Sequence, residues 1–399
     1  MVTQDYWTHL SASMIDKVIG NEYQLLEDLG HGAFGCLFLG QSLNTNTYVA
    51  VKVLSKAGLD PQQLKLQQLE IDIQSSLKHP YLLALHRVLE DEDYIFMVME
   101  LCDQGDLFDF VVRDQEVNKL REEHLVKKAY LQILDGIEYM HSQNIYHRDI
   151  KLENVLLRCE EDEDDTDAVT CKVADFGLAT RDRYSMEFGC GSTTYLAPEH
   201  FDGDDSMVQP DGELSPYDSS ASDVWSLGIL LLALMFGRNP WQEATTMDPA
   251  FAEFKRRPSM VKHQLFPALS GPAFQFVKSV LAIDAAKRPT VSEMKKQFAA
   301  LDRLYTDEED EEDEPLTPVD IPAFAKQDNR ASYDSAFFSG TGATHVGPSS
   351  WSDMVEEEEA KNGPICYHQE SHHSHDMMVN HDDDDTMFIH SEEKESWWL

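Results

Sequence analysis

The rhythm of polar and apolar positions changes several times along the first three quarters of the chain. TYVAVKVL (47–54) is rich in β-branched residues and predicts a strand, and YIFMVMEL (94–101) predicts a second. Between them, PQQLKLQQLEIDIQSSLK (61–78) sets Leu and Ile at helical spacing behind Pro61, a residue tolerated in a first turn, and predicts a helix. Longer helical patterns cover 123–143 and 222–236, the second so apolar that burial all round is expected. The longest apolar run, Ile229–Phe236, is far too short to span a bilayer. From about residue 22 to about 302, apolar runs alternate with Gly, Pro and Asp punctuation, as in a globular body, and no internal repeat is visible.

After about Tyr305 this rhythm stops. TDEEDEEDEP, VEEEEA and HDDDDT alternate with Ser, Gly and His, and such segments bury too little apolar surface to offset chain entropy. The expected organisation is an N-terminal extension (1–21), a globular body (22–302) and a disordered acidic tail (303–399). Two acidic stretches inside the body, 159–167 and 201–218, read as surface insertions. Over the whole chain 32 Lys+Arg face 73 Asp+Glu, a formal net charge of −41. A surface that acidic repels phosphodiester backbones and anionic headgroups, so neither nucleic acid nor membrane is an expected partner. Six cysteines, at 36, 102, 159, 171, 190 and 366, form no C-x-x-C pair; a reducing compartment is expected, with no zinc or disulfide framework. The N-terminus carries acids in place of a basic-then-apolar leader, and no basic import cluster appears, so the expected location is cytoplasmic and/or nuclear.

Candidate chemistry sharpens the picture. GHGAFG supplies Gly30, Gly32 and Gly35. A lone G-x-G-x-x-G also suits a dinucleotide-binding turn, but that turn opens a helix, whereas strand chemistry follows here; a plain β-turn stays open. A glycine-rich hairpin over nucleotide phosphates fits better. Lys52, in V-A-V-K, would point from the strand behind it into the same cleft. Glu70 is the candidate partner for its ammonium, although alone it reads equally as a solvated helix acid. HRDIKLEN (147–154) packs three bases, two acids and an amide into eight positions, a density costly to bury unless the charges are paired or working. ADFG (174–177) and APE (197–199) follow, completing an ordered set over about 170 residues.

With those motifs in place, residues 22–302 resemble the eukaryotic protein-kinase superfamily throughout. EFGCGSTTY (187–195) and NPWQEA…DPAF…F (239–254) are similar to the fungal Ran/Pat-type serine/threonine kinases that link nutrition to meiosis. The resemblance implies an α+β, bilobal fold: a small, mainly β lobe with one regulatory helix (22–101) and a large, mainly α lobe (102–302). It implies ATP and Mg²⁺ as cofactors, protein Ser/Thr hydroxyls as acceptors, and a role in signalling or in cell-cycle or developmental control. Asp149 would orient the acceptor hydroxyl and take its proton, Lys151 would balance charge on the moving phosphoryl group, and Lys52 with Glu70 would hold the phosphates. Asn154 and Asp175 would offer Mg²⁺ the hard oxygen donors it prefers. Leu29, Leu37, Ala50 and Leu156 would sandwich the adenine, with Met99 behind it and Glu100 to Cys102 bonding it through the hinge backbone; lobe core is an equally compatible reading of these residues. Glu199 with Arg288 would brace the large lobe, and Asp223 the catalytic-loop backbone. Lys151 and Ser192 fit serine/threonine specificity.

Departures from the family pattern carry their own expectations. Gln74 falls where an apolar residue of the regulatory helix is usual, and a buried amide there needs partners. Phe188 stands where Arg148 would normally meet a phosphorylated residue, leaving Ser185 as a displaced phosphosite, Glu187 as a built-in anion, or no charge partner. Asp106 and Glu153 are placed to meet basic residues before the acceptor, and Ala233 replaces a further acid, so a modest upstream basic preference is expected. A pseudokinase is the rival reading; Lys52, Asp149, Asn154 and Asp175, all present, favour transfer. A docking role for the 159–167 insertion, metal binding by the His-rich tract 368–376, proline-directed sites at Ser215 and Thr317, and docking by the final WWL are weaker expectations. The sequence is silent on oligomeric state.

Overall fold

The computed structural model describes residues 10–32, 35–57, 59, 61–113, 120–159, 169–201 and 215–306. Most of both acidic insertions, Thr317, the His-rich tract and the terminal WWL lie outside the described residues.

Strand chemistry in the first hundred residues builds a six-stranded antiparallel sheet. Its strands are β1 (Val18–Ile19), β2 (Tyr23–Gly32), β3 (Gly35–Ser42), β4 (Tyr48–Ser55), β5 (Leu85–Glu90) and β6 (Tyr94–Met99), in the order β1-β2-β3-β4-β6-β5. Alternation along β4 sends Val49, Val51 and Val53 to one face, where they pack with Leu25, Phe38, Phe96 and Val98. Lys52 lies on the other face, the side of Leu54, which packs with Ile71 and Met97. Helical residues 10–14 and β1 cover the first face, with Met14 and Ile19 part of its core. Part of what reads as an extension is therefore built into the sheet.

Helix α1 (Pro61–Ser76) crosses the second face, starting at the proline as the sequence suggests. Its inward stripe is a surprise. Gln63, Gln67, Glu70 and Gln74 are buried, whereas Leu64 is 39% exposed. The Leu/Ile spacing predicts the helix and, in Ile71 and Ile73, part of its buried side, but not the four polar residues that share it.

The large lobe comprises α2 (Leu107–Arg113), α3 (Glu123–Ser142), the hairpin β7 (Val155–Cys159) and β8 (Val169–Val173), and the short pair β9 (Tyr184–Ser185) and β10 (Tyr217–Asp218). Helices α4 (Ser219–Phe236), α5 (Pro249–Arg256), α6 (Gly271–Val280) and α7 (Val291–Ala299) follow. Helix α4 begins three residues before the apolar pattern because Asp218 caps it, its Oδ1 accepting the Ser220 amide at 3.0 Å. It ends at Gly237, whose φ of +68° suits the left-handed C-terminal position. Over its 18 residues it is long and apolar enough to cross a bilayer, which the eight-residue run alone does not suggest, but 83% of it is buried inside the protein. It is the central post of the large-lobe core.

Candidate active site

The cleft side of β4 and the inner face of α1 meet at one ion pair. Lys52 Nζ lies 2.7 Å from Glu70 Oε1, and Glu70 is buried. Burial works against the Lys52 charge, but Glu70 and then Asp175 outweigh it, and its pKa sits above the usual lysine value. The second Glu70 oxygen is buried and unpartnered. Two residues nearby keep the helix in place. Gln74 Nε2 donates to the Leu83 carbonyl at 3.3 Å and reaches Met99 Sδ at 3.6 Å, so the amide has partners. Gln67 Nε2 reaches the Ser55 carbonyl at 3.4 Å, leaving its own oxygen unpartnered.

Over the cleft, β2 and β3 form the glycine-rich hairpin, with Gly32 opposite Gly35 and Gly30 opposite Leu37. A Cβ at Gly35 would stand 2.2 Å from the Val53 carbonyl oxygen, so only glycine lets the hairpin lie this close to β4. Below it, Ala50 is buried, Leu37 and Leu156 are half-buried, and Leu29 is 46% exposed. Glu100, at the hinge, is tied by its side chain: Oε1 accepts the Ala84 amide at 2.8 Å, and Oε2 meets Arg158 at 3.0 Å and Lys172 at 3.1 Å. No spacing rule signals that double pairing. Two residues on, burial and then the Glu100 charge push the Cys102 thiol up to about 12.

The HRD stretch forms a connected polar floor. Asp149 Oδ1 accepts the Ser192 amide at 3.0 Å and hydroxyl at 2.8 Å. Its Oδ2 takes Asn154 Nδ2 at 2.9 Å and lies 3.0 Å from Lys151 Nζ. Lys151 also donates to Ser192 Oγ at 2.8 Å, so one serine bridges acid and base. Burial opposes charge on Asp149, yet Lys151 and the hydrogen bonds hold its carboxyl below the usual range. Asn154 gives its amide nitrogen to both the side chain and the carbonyl of Asp149, leaving its oxygen as the end for a cation. Asp175, at φ +60°, sits in the left-handed region uncommon for a side-chain-bearing residue. A Cβ on Gly177 would lie 3.3 Å from Asp175 Oδ1 and 3.7 Å from Glu70 Oε2, so the two carboxylates flank the same point. Phe176 is buried against His147, whose ring bonds the Ala174 carbonyl at 3.0 Å. Glu70, Lys52, Asp175, Asp149, Lys151 and Asn154, spread over a hundred residues of sequence, thus border one cleft.

The floor rests on α4. Asp223 accepts the amides of His147 and Arg148 at 2.9 and 2.8 Å and bonds His141 at 2.8 Å. Glu199 and Arg288 pair through two bonds of 2.6 and 2.7 Å, with the guanidinium also over the Trp225 ring. Glu153 has a buried, unpartnered Oε2, and burial raises its pKa. Asp106 caps α2, its Oδ1 accepting the Asp109 amide at 2.8 Å.

The donors suit Mg²⁺: an aspartate and an amide oxygen are hard ligands. Among the described residues no separate cluster of His, Cys, Asp and Glu forms a metal site.

Comparison with known proteins agrees with this geometry. The sequence model of the protein kinase domain matches residues 23–298. A Schizosaccharomyces pombe negative regulator of sexual conjugation and meiosis is 36% identical over 259 residues, covering 62% of this chain and 53% of its own. Serine/threonine-protein kinase ksp1 of the same yeast is 33% identical over 290 residues, 72% of this chain and 58% of its own. Myosin light chain kinase A of Dictyostelium discoideum is 30% identical over 268 residues, 67% of this chain and 83% of its own. This chain thus spans a little over half the length of the two yeast relatives. With the domain match taking in well over half of its residues, the chain belongs to the protein kinase family, in the serine/threonine branch.

Proposed function

We propose that the protein transfers the γ-phosphoryl group of ATP to serine and threonine hydroxyls of protein substrates, as a serine/threonine kinase without a single dedicated substrate. The observation that carries this reading is Asp149, a low-pKa carboxylate held by Lys151, Asn154 and Ser192 at the edge of the cleft that also receives Lys52 and Asp175.

In this mechanism Lys52, fixed by Glu70, binds the α- and β-phosphates beneath the glycine hairpin. Asn154 and Asp175 would hold Mg²⁺, which neutralises phosphate charge when bound. Asp149 accepts a hydrogen bond from the acceptor hydroxyl and aims it at the γ-phosphorus. As the oxygen–phosphorus bond forms, the bond to the β,γ-bridging oxygen breaks, ADP leaves, and the hydroxyl proton passes to Asp149. Lys151 stabilises the equatorial oxygens throughout. Such a reaction depends on positioning and fixed charge more than on covalent chemistry.

A modest preference for basic residues upstream of the acceptor is part of this reading, since Asp106 and Glu153 are carboxylates that an arginine would pair. Signalling or cell-cycle and developmental control, in cytoplasm or nucleus, is the setting that the kinship with the yeast regulator suggests. The test is transfer from γ-labelled ATP to a basic serine peptide. Label should appear with the wild type and fall by about two to three orders of magnitude in Asp149→Asn. Nucleotide binding without transfer by the wild type would point to a pseudokinase instead.

A further inference from the structure

Arg148 precedes Asp149 and is almost fully enclosed, its side chain 6% exposed. Its backbone amide is held by Asp223, and its φ of +66° turns the side chain away from the catalytic aspartate's path. The guanidinium then ties three segments. Its Nε donates to the Leu178 carbonyl at 2.6 Å, just past the ADFG stretch, and its Nη1 pairs with Glu187. A buried guanidinium needs an anion, and leaving one unpaired is strongly destabilising.

The neighbours of Glu187 decide between the alternatives that the sequence leaves open. Phe188 has no hydroxyl, and its ring packs 5.5 Å from that of Tyr217. Ser185 is buried in β9, opposite Tyr217 of β10, and its Oγ accepts the Glu187 amide at 3.1 Å. A phosphate there would have to break the β9–β10 pairing, which Arg183 reinforces by meeting Asp218 at 3.0 Å. Glu187, by contrast, is 41% exposed at its side chain, already paired with Arg148, and held from behind by Cys190 Sγ donating to its carbonyl at 3.2 Å. On the far side Gly191, at φ +112°, lets the chain pass so close that a Cβ would stand 2.5 Å from the Arg148 carbonyl oxygen. The next residue, Ser192, bonds Asp149.

We infer that Glu187 is a positioning residue: its fixed carboxylate draws residues 184–192 onto Arg148 and so sets Ser192 against Asp149, without modification of that segment. This rests on the phosphoryl-transfer reading above and adds that activity needs no phosphate on the loop.

The full-length protein, freed of phosphate by phosphatase treatment and checked by mass, is compared with untreated protein and with Glu187→Gln, Glu187→Asp and Ser185→Ala. Phosphatase treatment and Ser185→Ala should each leave kcat within about threefold. Glu187→Gln should lower kcat by about ten- to a hundredfold with KM for ATP nearly unchanged, as expected when one partner of an enclosed charge pair is lost, and Glu187→Asp should recover most of it. Trypsin should cut after Arg181 and Arg183 about tenfold faster in Glu187→Gln than in wild type, at a temperature well below the melting point of either. A hundredfold loss on phosphatase treatment, restored by phosphate on Ser185, would overturn the inference, as would full activity of Glu187→Gln. If untreated wild type transfers no phosphate, the kinase reading fails on its own and the trypsin comparison decides this one: equal cleavage of both proteins refutes it, faster cleavage of Glu187→Gln sustains it.

Discussion

Helix α1 turns Gln63, Gln67, Glu70 and Gln74 inward, while helix α4 buries Val224, Trp225, Leu227, Ile229, Leu230 and Leu231 on all its sides. Each fully buried aliphatic side chain on α4 contributes roughly 1.5–3 kcal/mol. Each hydrogen bond holding α1 nets only about 0.5–1.5 kcal/mol, and two oxygens on its stripe lack partners. The two helices carry matching duties: α1 brings Glu70 to Lys52, and α4 brings Asp223 to the catalytic loop. The ion pair on α1 and the one that braces the start of α4, where Arg288 bonds the Ala221 carbonyl, differ in the same sense. Arg288 is fully enclosed and uses both Glu199 oxygens, whereas Lys52 is 22% exposed at the cleft and uses one oxygen of Glu70. One side of the site is anchored, and the other is held by contacts weak enough to be made and broken.

The hardest blow to this contrast comes from the anchored pair. Arg288→Ala, which strands a buried Glu199, should cost about 3–5 kcal/mol in urea unfolding, and a loss below about 1 kcal/mol would erase the distinction. Lys52→Met should do the reverse: kcat falls by about two to three orders of magnitude, with stability changing by about 1–2 kcal/mol or less.

Acid probes the anchored side alone. Burial lowers the pKa of His200 to about 4, in spite of Glu199 beside it; its ring bonds Ser222, packs tilted against the Tyr217 ring at 4.2 Å and faces the charges of Arg148, Arg288 and Asp223. The unfolded chain therefore binds this proton first. The His200 contribution is complete above about pH 6.5 and is lost as pH falls towards 4, by on the order of 3 kcal/mol. His200→Gln should flatten the stability slope in that window relative to wild type. Glu199 and Asp223, whose pKa values lie below the ordinary carboxylate range, matter only at more acid pH.

The smallest effect sharpens the loose side. Gln74→Ala should cost about 1–2 kcal/mol locally, by orphaning the Leu83 carbonyl, and amide exchange should speed up along α1 but not along α4. Equal acceleration in both helices would mean that they unfold as one unit.

Much of this was legible in the chain itself. Strands β4 and β6 and helices α3 and α4 lie within a few residues of their patterns, because β-branched runs and apolar helical repeats leave few alternatives. The ordered motifs led to Lys52, Glu70, Asp149, Lys151, Asn154 and Asp175, which the fold draws together. The polar half of the inward face of α1 was hidden because hydrophobic spacing finds Ile71 and Ile73 but not the buried Gln63, Gln67, Glu70 and Gln74 beside them. Strands β9 and β10, two residues each and far apart in sequence, carry no periodicity to read. Two candidate partners for Arg148, Ser185 and Glu187, stood beside the option of no charge partner, and only the burial of Ser185 and the pairing of Glu187 separate them.

Cys102 has a practical consequence for chemistry aimed at this cleft. With its thiol pushed up to about 12, only about one molecule in a hundred thousand presents the reactive thiolate at neutral pH. Acrylamides and similar electrophiles brought to this sulfur would react slowly, so the thiol is a poor anchor for covalent ligands of the cleft.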